Sequence, residues 1–296
     1  MSWLRVERGR SASTIDAYRR DLVRLIGWLD QRRLDVQTAD AEDLTAYVHD
    51  LQALGLAART VARALVVVRN YYRFLTAEDL IDHDPVARVE VPPVPRGLPK
   101  PLGLDEVVRL IESIDPVSPA TRRDRAMLET LYGTGMRISE LTGLSLSSLD
   151  LTARIARVVG KGDKERIVPI GTHAAAALED WLCLDGRGAL VRSATINRDD
   201  MDAVFVNLRG SRLSRQGAWG VVRKAAISQG MADRLSPHVL RHSCATHMLD
   251  NGADVRTVQE LLGHASISTT QVYTLVSAER LRSVYDQAHP RALRAS

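Results

Sequence analysis

A run of prolines near residue 95 sets the first limit on how this 296-residue chain can fold. Residues 91–101 read Val-Pro-Pro-Val-Pro-Arg-Gly-Leu-Pro-Lys-Pro. Because proline lacks the backbone N–H and has a fixed φ, neither a helix nor a central strand can run through them. We therefore predict an exposed, semi-rigid linker over residues 92–101. It divides the chain into residues 1–91 and residues 102–296, each long enough to bury its own core.

Residues 1–91 carry apolar side chains at three- and four-residue steps, which predicts an all-helical domain. The predicted helices begin near Ser13, after Asp40 and near Thr60, and a shorter one covers residues 77–81. The arginines that would lie on the outer helix faces are candidates for binding DNA phosphates: Arg19, Arg20, Arg24, Arg59, Arg63, Arg69 and Arg73. The alternative for each is a surface arginine paired with a nearby acid.

Residues 102–296 mix element types. Helical spacing covers residues 104–114 and 122–131 and returns from His173 nearly to the end. Between these regions, alternating residues on either side of a glycine-rich turn predict strand, turn and strand over residues 154–170. The predicted fold class is therefore mainly α with a small antiparallel β-sheet in the C-terminal domain.

Composition constrains the function only loosely. The net charge of +4 favours a polyanionic partner, and the excess of basic residues lies after residue 95. No apolar run approaches the length of a membrane span, and the first residues lack the apolar core of a secretory signal. Cys183 and Cys244 imply no disulfide framework, and no Cys/His cluster has zinc spacing. We expect a cytoplasmic protein with no metal and no membrane insertion.

Two patches of the C-terminal domain place basic residues beside flexible turns. In one, Gly133 and Gly135 precede a predicted helix that would present Arg137 at its start, with Glu140 one turn on to hold the guanidinium. The alternative is a glycine loop with a surface salt bridge. The other patch is the hairpin turn over residues 160–165.

This turn contains Lys161 and Lys164, two of only four lysines in the chain. Lysine can donate a proton, whereas arginine effectively never does, so lysines kept at this turn suggest proton chemistry. Chance is the alternative.

A third patch places His238 and Arg241 three residues apart, on one face of a predicted helix. His247, later in the same helix, is assigned to the core, which is also the alternative for the other histidine.

In a fourth patch Gly263 is predicted to end one helix, and a Ser268–Gln271 capping box to begin the next. His264 would then lie in the loop, and Tyr273 just over one turn into the second helix. A buried structural tyrosine is the alternative there.

Taken together, these side chains match what tyrosine-mediated cleavage of a phosphodiester needs. A phenol has a pKa of about 10 and is a poor nucleophile until its proton is removed. Guanidinium groups match the charge that develops on the phosphate oxygens, and the leaving 5′-oxygen needs a proton donor. The arginines and imidazoles supply the positive charge, so we expect no metal and no other cofactor.

These motifs resemble the tyrosine recombinase (phage integrase) family, and within it the bacterial Xer recombinases. The resemblance covers nearly the whole chain, including residues 10–22, and is densest over residues 236–290. Residues 236–242 and 251–256 are more similar to the XerD type than to the XerC type. The family implies a helical, SAM-like core-binding domain over residues 1–91 and an integrase-type catalytic domain over residues 102–296.

Carried over position by position, the resemblance implies six catalytic residues: Arg137, Lys161, His238, Arg241, His264 and the nucleophile Tyr273. The two arginines and His264 would bind the scissile phosphate. Lys161 would act as the general acid that protonates the leaving 5′-oxygen, with Lys164 as the alternative and as a DNA-binding candidate. His238 would help to deprotonate the tyrosine, and Glu140 would support its neighbouring arginine.

The resemblance also implies partners. Xer recombinases act on double-stranded DNA at a dif-type site, as a heterotetramer of XerD-type and XerC-type subunits, and a septal DNA translocase activates them to resolve chromosome dimers. Strand exchange passes through a Holliday junction, and a C-terminal tail, here about residues 277–296, docks on a neighbouring protomer. Polar side chains at helical spacing are the candidates for reading bases: Arg215, Gln216, Trp219 and Arg223.

Three other functions remain open at this point. A mobile-element integrase would use the same chemistry, although no additional arm-binding domain is evident. A type IB topoisomerase shares the residue set but fits the tail and the short N-terminal domain badly. A non-catalytic, architectural DNA-binding protein is the alternative from another class, although all six catalytic positions hold the expected residue types.

Overall fold

The computed structural model describes residues 12–90, 100–160, 165–192, 197–263 and 275–292. The chain divides into two compact units at residues 98 and 99. Most of the predicted linker lies outside the described residues. In the described ranges, no helix is both long and apolar enough to span a membrane.

The first unit is helical, as predicted. It consists of α1 (Ala12–Gln31), α2 (Ala41–Ala53), α3 (Ala58–Ala77) and a 3₁₀ turn (Pro85–Arg88). Their apolar stripes enclose one core, which includes Leu25, Leu44, Leu65 and Tyr72. Asp40 caps α2 by accepting from the backbone N–H groups of Glu42 and Asp43.

The prediction of a short helix over residues 77–81 is wrong. Helix α3 ends at Ala77, and Asp79 has a left-handed φ of 53°, which a continuing helix cannot accommodate. The next helical turn begins at Pro85, whose fixed φ suits the first position of a helix. The side chain of Asp84 caps the start of this turn. Of the apolar residues in this stretch, Ile81 packs against the core, whereas Leu80 is 49% exposed.

A buried carboxylate joins two helices of the first unit. Asp21 of α1 is 1% exposed and accepts two hydrogen bonds from Arg63 of α3, at 2.5 and 3.2 Å. Arg24 lies 3.6 Å from the same carboxylate. Arg24 and Arg63, two of the candidate DNA-binding arginines, thus neutralise the buried charge of Asp21.

The second unit contains a three-stranded antiparallel sheet against a set of helices. Its elements are α4 (Leu104–Glu112), α5 (Pro119–Thr134), α6 (Ile138–Gly143), a 3₁₀ turn (Leu146–Ser148), β1 (Leu149–Asp150), β2 (Ile155–Val159), β3 (Glu165–Pro169), α7 (Thr172–Leu182), α8 (Arg187–Arg192), α9 (Arg198–Met201), α10 (Arg215–Ser228), α11 (Pro237–Asp250), α12 (Val255–Leu262) and α13 (Leu275–Ala288). The strand order is β1-β2-β3, and Val158 pairs with Arg166. The predicted hairpin and fold class are confirmed.

The described end of the chain packs on its own unit. Tyr285 of α13 is buried and donates to the Gly133 carbonyl at 2.7 Å. Beyond α13, Arg291 forms a buried ion pair with Glu129 of α5, and Thr172 N–H donates to the Ala292 carbonyl at 2.8 Å. Docking of this tail on a neighbouring protomer stays a prediction.

The Asp21–Arg63 pair yields a test of stability. Replacing Arg63 with Gln leaves Asp21 buried with only the more distant Arg24, so we expect the free energy of unfolding to fall by about 2 kcal/mol. Arg59→Gln, at an exposed position of the same helix, should change it by less than about 0.5 kcal/mol. Urea denaturation measures both. Equal effects of the two substitutions would contradict the structural role of Arg63.

Candidate active site

A tight glycine turn places Arg137 at the start of a helix. Helix α5 ends at Thr134, Gly135 takes a left-handed φ of 60°, and Arg137 is the N-cap residue of α6. A Cβ at Gly135 would lie 2.6 Å from Leu262 Cδ2 and 3.1 Å from Cys244 Sγ. Glycine is required here both for the turn and for the close approach of α11 and α12.

The contact expected between Arg137 and Glu140 is present. The Arg137 Nη1 donates to Glu140 Oε1 at 2.8 Å, and its backbone N–H donates to Oε2 at 2.7 Å. Arg137 Nη2 donates to the Gly263 carbonyl at 2.9 Å. The arginine side chain is still 33% exposed, so a ligand can reach the guanidinium.

Arg241 approaches the same place from α11 and is only 8% exposed. Its Nη1 donates to the Gly135 carbonyl at 2.7 Å, and its Nη2 donates to the Leu262 carbonyl at 2.5 Å. His238, one turn earlier on the helix, is exposed. The structure therefore brings together the two arginines that the sequence predicted as a pair.

A third arginine, Arg166 of β3, completes the cluster and was missed in the sequence. It is 5% exposed, and its Nη1 and Nη2 donate to the two Glu140 oxygens at 2.7 and 2.9 Å. Its Nε donates to the Leu261 carbonyl at 3.1 Å. Strand alternation places this residue on the inward face with Val168, which was the available signal.

Three consecutive carbonyls at the end of α12 thus accept from three different arginines: Leu261 from Arg166, Leu262 from Arg241, and Gly263 from Arg137. The last carbonyls of a helix have no partner within it and carry partial negative charge, so they suit cations. The predicted helix end at Gly263 is confirmed, with a left-handed φ of 68°. We call Arg137, Arg166, Arg241 and Glu140 the arginine cluster.

The arginine cluster has more positive than negative charge. Burial would raise the pKa of Glu140, but hydrogen bonds and charge from Arg166, then Arg137, outweigh it and hold that pKa below its ordinary value. Burial, helped by the charges of Arg137 and Arg166, lowers the pKa of Arg241 to about 10. Arg241 is therefore still protonated at neutral pH, and the cluster contains three guanidinium groups but one carboxylate. Such a group of fixed guanidinium donors suits a phosphate.

The catalytic residues predicted at Lys161, His264 and Tyr273 lie outside the described residues, together with Lys164 and the predicted Ser268–Gln271 cap. His247, expected in the core, is half-buried beside it: its Nδ1 lies 2.8 Å from Tyr132 Oη and its Nε2 lies 2.9 Å from the Leu102 carbonyl. In the described ranges, no group of three histidine, cysteine or acidic side chains has the arrangement of a metal site.

The candidate DNA-binding arginines of the first unit fall into two groups, those with a protein partner and those on exposed helix positions. Arg24 and Arg63 contact Asp21, and Arg69 donates to the Val89 carbonyl at 2.7 Å, so these three have structural partners in the first unit. The others there lie on exposed helix positions: Arg19, Arg20, Arg59 and Arg73.

Helix α10 of the second unit carries the other set, and all four of its candidates are exposed: Arg215, Gln216, Trp219 and Arg223. The Arg223 guanidinium lies 5.3 Å from the centre of the Trp219 ring. An exposed tryptophan beside arginines is typical of surfaces that bind nucleic acids.

Comparisons of the sequence with known families match nearly the whole chain. Residues 100–280 match the phage integrase family, and residues 1–79 match the phage integrase N-terminal SAM-like domain. The tyrosine recombinase XerD of Mycobacterium tuberculosis is 46% identical over 302 residues, which cover 98% of this chain and 95% of that protein. XerD of Listeria monocytogenes is 44% identical over 294 residues, 99% of this chain and 97% of the relative.

Solved structures agree on the fold. The XerH site-specific recombinase bound to a palindromic difH substrate has a TM-score of 0.70 at 23% identity and covers 94% of this chain and 81% of its own. The XerA recombinase has a TM-score of 0.50 at 30% identity and covers 98% of this chain and 97% of its own.

We predict that the stabilising contribution of the Glu140 carboxylate is lost in acid. Glu140→Gln leaves buried guanidinium groups without their carboxylate, and we expect the free energy of unfolding at pH 7 to fall by about 3 kcal/mol. Because the folded-state pKa of Glu140 is lowered, its contribution is complete above the unfolded value of about 4.3 and is lost as the pH falls further. The difference between wild type and variant should therefore shrink below that pH.

Glu106→Gln is the matched control. Glu106 also accepts from a backbone N–H and a guanidinium, those of Gly103 and Arg234, but the partner arginine is 56% exposed. Its loss should cost less than about 1 kcal/mol. Chemical denaturation from pH 7 to pH 3 measures both variants, and an equal cost for the two would contradict the account of the cluster.

Proposed function

Since the chain belongs to the phage integrase family of tyrosine recombinases, we propose that it cuts and rejoins DNA at specific sites through a covalent bond to Tyr273. The observation that supports this proposal best is the arginine cluster. Arg137 and Arg241 bind the Gly263 and Leu262 carbonyls at the end of α12, and His264 and Tyr273 follow that helix in the sequence. A phosphate bound by the two guanidinium groups would thus lie near the point at which this segment begins.

The reaction follows from these roles. The Tyr273 oxygen attacks the phosphorus, the bond to the 5′-oxygen breaks, and a 3′-phosphotyrosyl link remains. Arg137, Arg241 and His264 stabilise the charge that builds up on the non-bridging oxygens. Lys161 gives the leaving 5′-oxygen its proton, and His238 assists removal of the phenol proton. A 5′-hydroxyl from another strand then reverses the steps, so bond energy is conserved and no nucleotide cofactor is needed.

The relatives indicate the biological setting. Those with 42–46% identity over nearly the full length are named XerD, and one solved neighbour is bound to its difH site. We propose a dif-type site as the substrate and resolution of chromosome dimers as the outcome, by way of a Holliday junction. We propose the remaining partners from the resemblance to Xer recombinases: a XerC-type recombinase in a heterotetramer, a septal DNA translocase as activator, and tail docking between protomers.

The covalent adduct is the direct test of this function. A nicked substrate with a dif-like site loses the short strand after cleavage, which traps the protein on DNA. With a XerC-type partner present, we expect an adduct that survives detergent, maps to Tyr273 and is absent from Tyr273→Phe. Tight site binding without an adduct under any partner condition would favour the architectural DNA-binding alternative.

Helix α10 gives a prediction about specificity. If Arg215 reads a base edge, Arg215→Ala should lower the preference for a dif-like site over unrelated DNA by about 1–3 kcal/mol. Lys224→Ala, at another exposed position of the same helix, should weaken binding to both DNAs equally or leave it unchanged. Competition binding at fixed salt measures the ratio. Equal losses on both DNAs for Arg215→Ala would reject base reading by this residue.

A further inference from the structure

Arg166 occupies a position from which it contacts three elements at once. It extends from β3, binds both carboxylate oxygens of Glu140 on α6, and donates through Nε to the Leu261 carbonyl on α12. Its side chain also passes directly under the end of α12, because a Cβ at Gly263 would lie 3.1 Å from Arg166 Cδ, Nε and Cζ. The strand, the start of α6 and the end of α12 therefore meet on one guanidinium group.

The sharing of Glu140 has an electrostatic consequence. Each carboxylate oxygen accepts once from Arg166 and once from Arg137: Oε1 from the two Nη1 atoms, and Oε2 from Arg166 Nη2 and the Arg137 backbone. Without Arg166, the carboxylate would be free to turn and pair fully with the Arg137 guanidinium. Arg166 thus holds Glu140 in a position where it orients Arg137 and neutralises it only in part.

Lysine cannot reproduce this arrangement. A planar guanidinium reaches both carboxylate oxygens with two parallel donors while a third donor reaches Leu261, whereas an ammonium is a single point charge. The geometry therefore depends on arginine and not only on a buried positive charge.

We infer that Arg166 is a positioning residue for cleavage: it fixes Glu140 and the end of α12 so that Arg137 and Arg241 are aligned and charged for the scissile phosphate. This inference rests on the proposed function. Arg166 itself is 5% exposed and acts through the other two arginines. Misplacing such groups by about 1 Å costs roughly 100-fold in rate.

The chain contains a matched control for the loss of a buried arginine. Arg123 of α5 is 7% exposed, binds the Asp124 carboxylate at 2.7 Å and donates to the Val206 carbonyl at 3.2 Å. It thus has the same kinds of partner as Arg166, a carboxylate and a carbonyl. Its partners lie outside the arginine cluster, so Arg123→Gln should lower thermal stability without slowing cleavage.

The test uses single-turnover cleavage of the nicked substrate at saturating DNA, with wild type, Arg166→Gln, Arg166→Lys and Arg123→Gln. A second substrate carries a methylphosphonate at the scissile position, which removes the phosphate charge that the arginines would neutralise. On the ordinary substrate we expect Arg166→Gln and Arg166→Lys to cleave about 100-fold more slowly than wild type, with unchanged DNA affinity. On the methylphosphonate this loss should shrink by about an order of magnitude or more.

Each outcome decides the inference. Wild-type rates in both Arg166 variants, an equal loss on the two substrates, or an equal loss in Arg123→Gln would overturn it and leave the proposed function in place. If Arg166→Gln does not fold, Arg166→Lys, which keeps the buried charge, carries the comparison. Absence of an adduct from the wild-type chain under any partner condition would instead overturn the proposed function, and this inference with it.

Discussion

The second unit depends on one buried carboxylate, that of Glu140. It accepts from Arg137 and Arg166, and these two arginines, with Arg241, take up the final carbonyls of α12. Burying this many charges is unfavourable unless each has a partner, so the ends of α5, α6 and α12 and the strand β3 are constrained to one arrangement. A buried ion pair adds little stability compared with an apolar core, but it specifies geometry, and geometry is what phosphate chemistry requires.

Glycine makes this arrangement possible at two points. Gly135 lets α11 and α12 come within contact of the turn that leads to Arg137. Gly263 ends α12 in a left-handed conformation above the Arg166 side chain. The first of these turns leads to Arg137, and the second ends α12 immediately before the segment that carries His264 and Tyr273 in the sequence. The backbone conformation at Gly135 and Gly263 therefore links the fold of the second unit to the proposed phosphate chemistry.

The sequence predicted much of this, for identifiable reasons. Periodicity placed the helices and the hairpin, and the Gly-Thr-Gly-Met-Arg turn indicated both the helix start and the Arg137–Glu140 contact. Periodicity failed at residues 77–81, because Leu80 and Ile81 lie three and four residues after Ala77, as in a helix, although the chain turns at Asp79. Arg166 alternates with Val168 on β3, but it was missed because the apolar Ile167 made the opposite face of the strand look equally suited to burial. Partners distant in sequence, such as Leu261, become visible only in the folded chain.

We propose that Arg137 and Arg241 of the arginine cluster bind the scissile phosphate. The most direct measurement is the structure of the Tyr273→Phe chain on a dif-like DNA site, which holds the uncleaved phosphate in place. The account predicts non-bridging phosphate oxygens within hydrogen-bonding distance of Arg137 and Arg241, with Glu140 still bound by Arg166. A scissile phosphate held elsewhere, with these arginines contacting only protein, would contradict it.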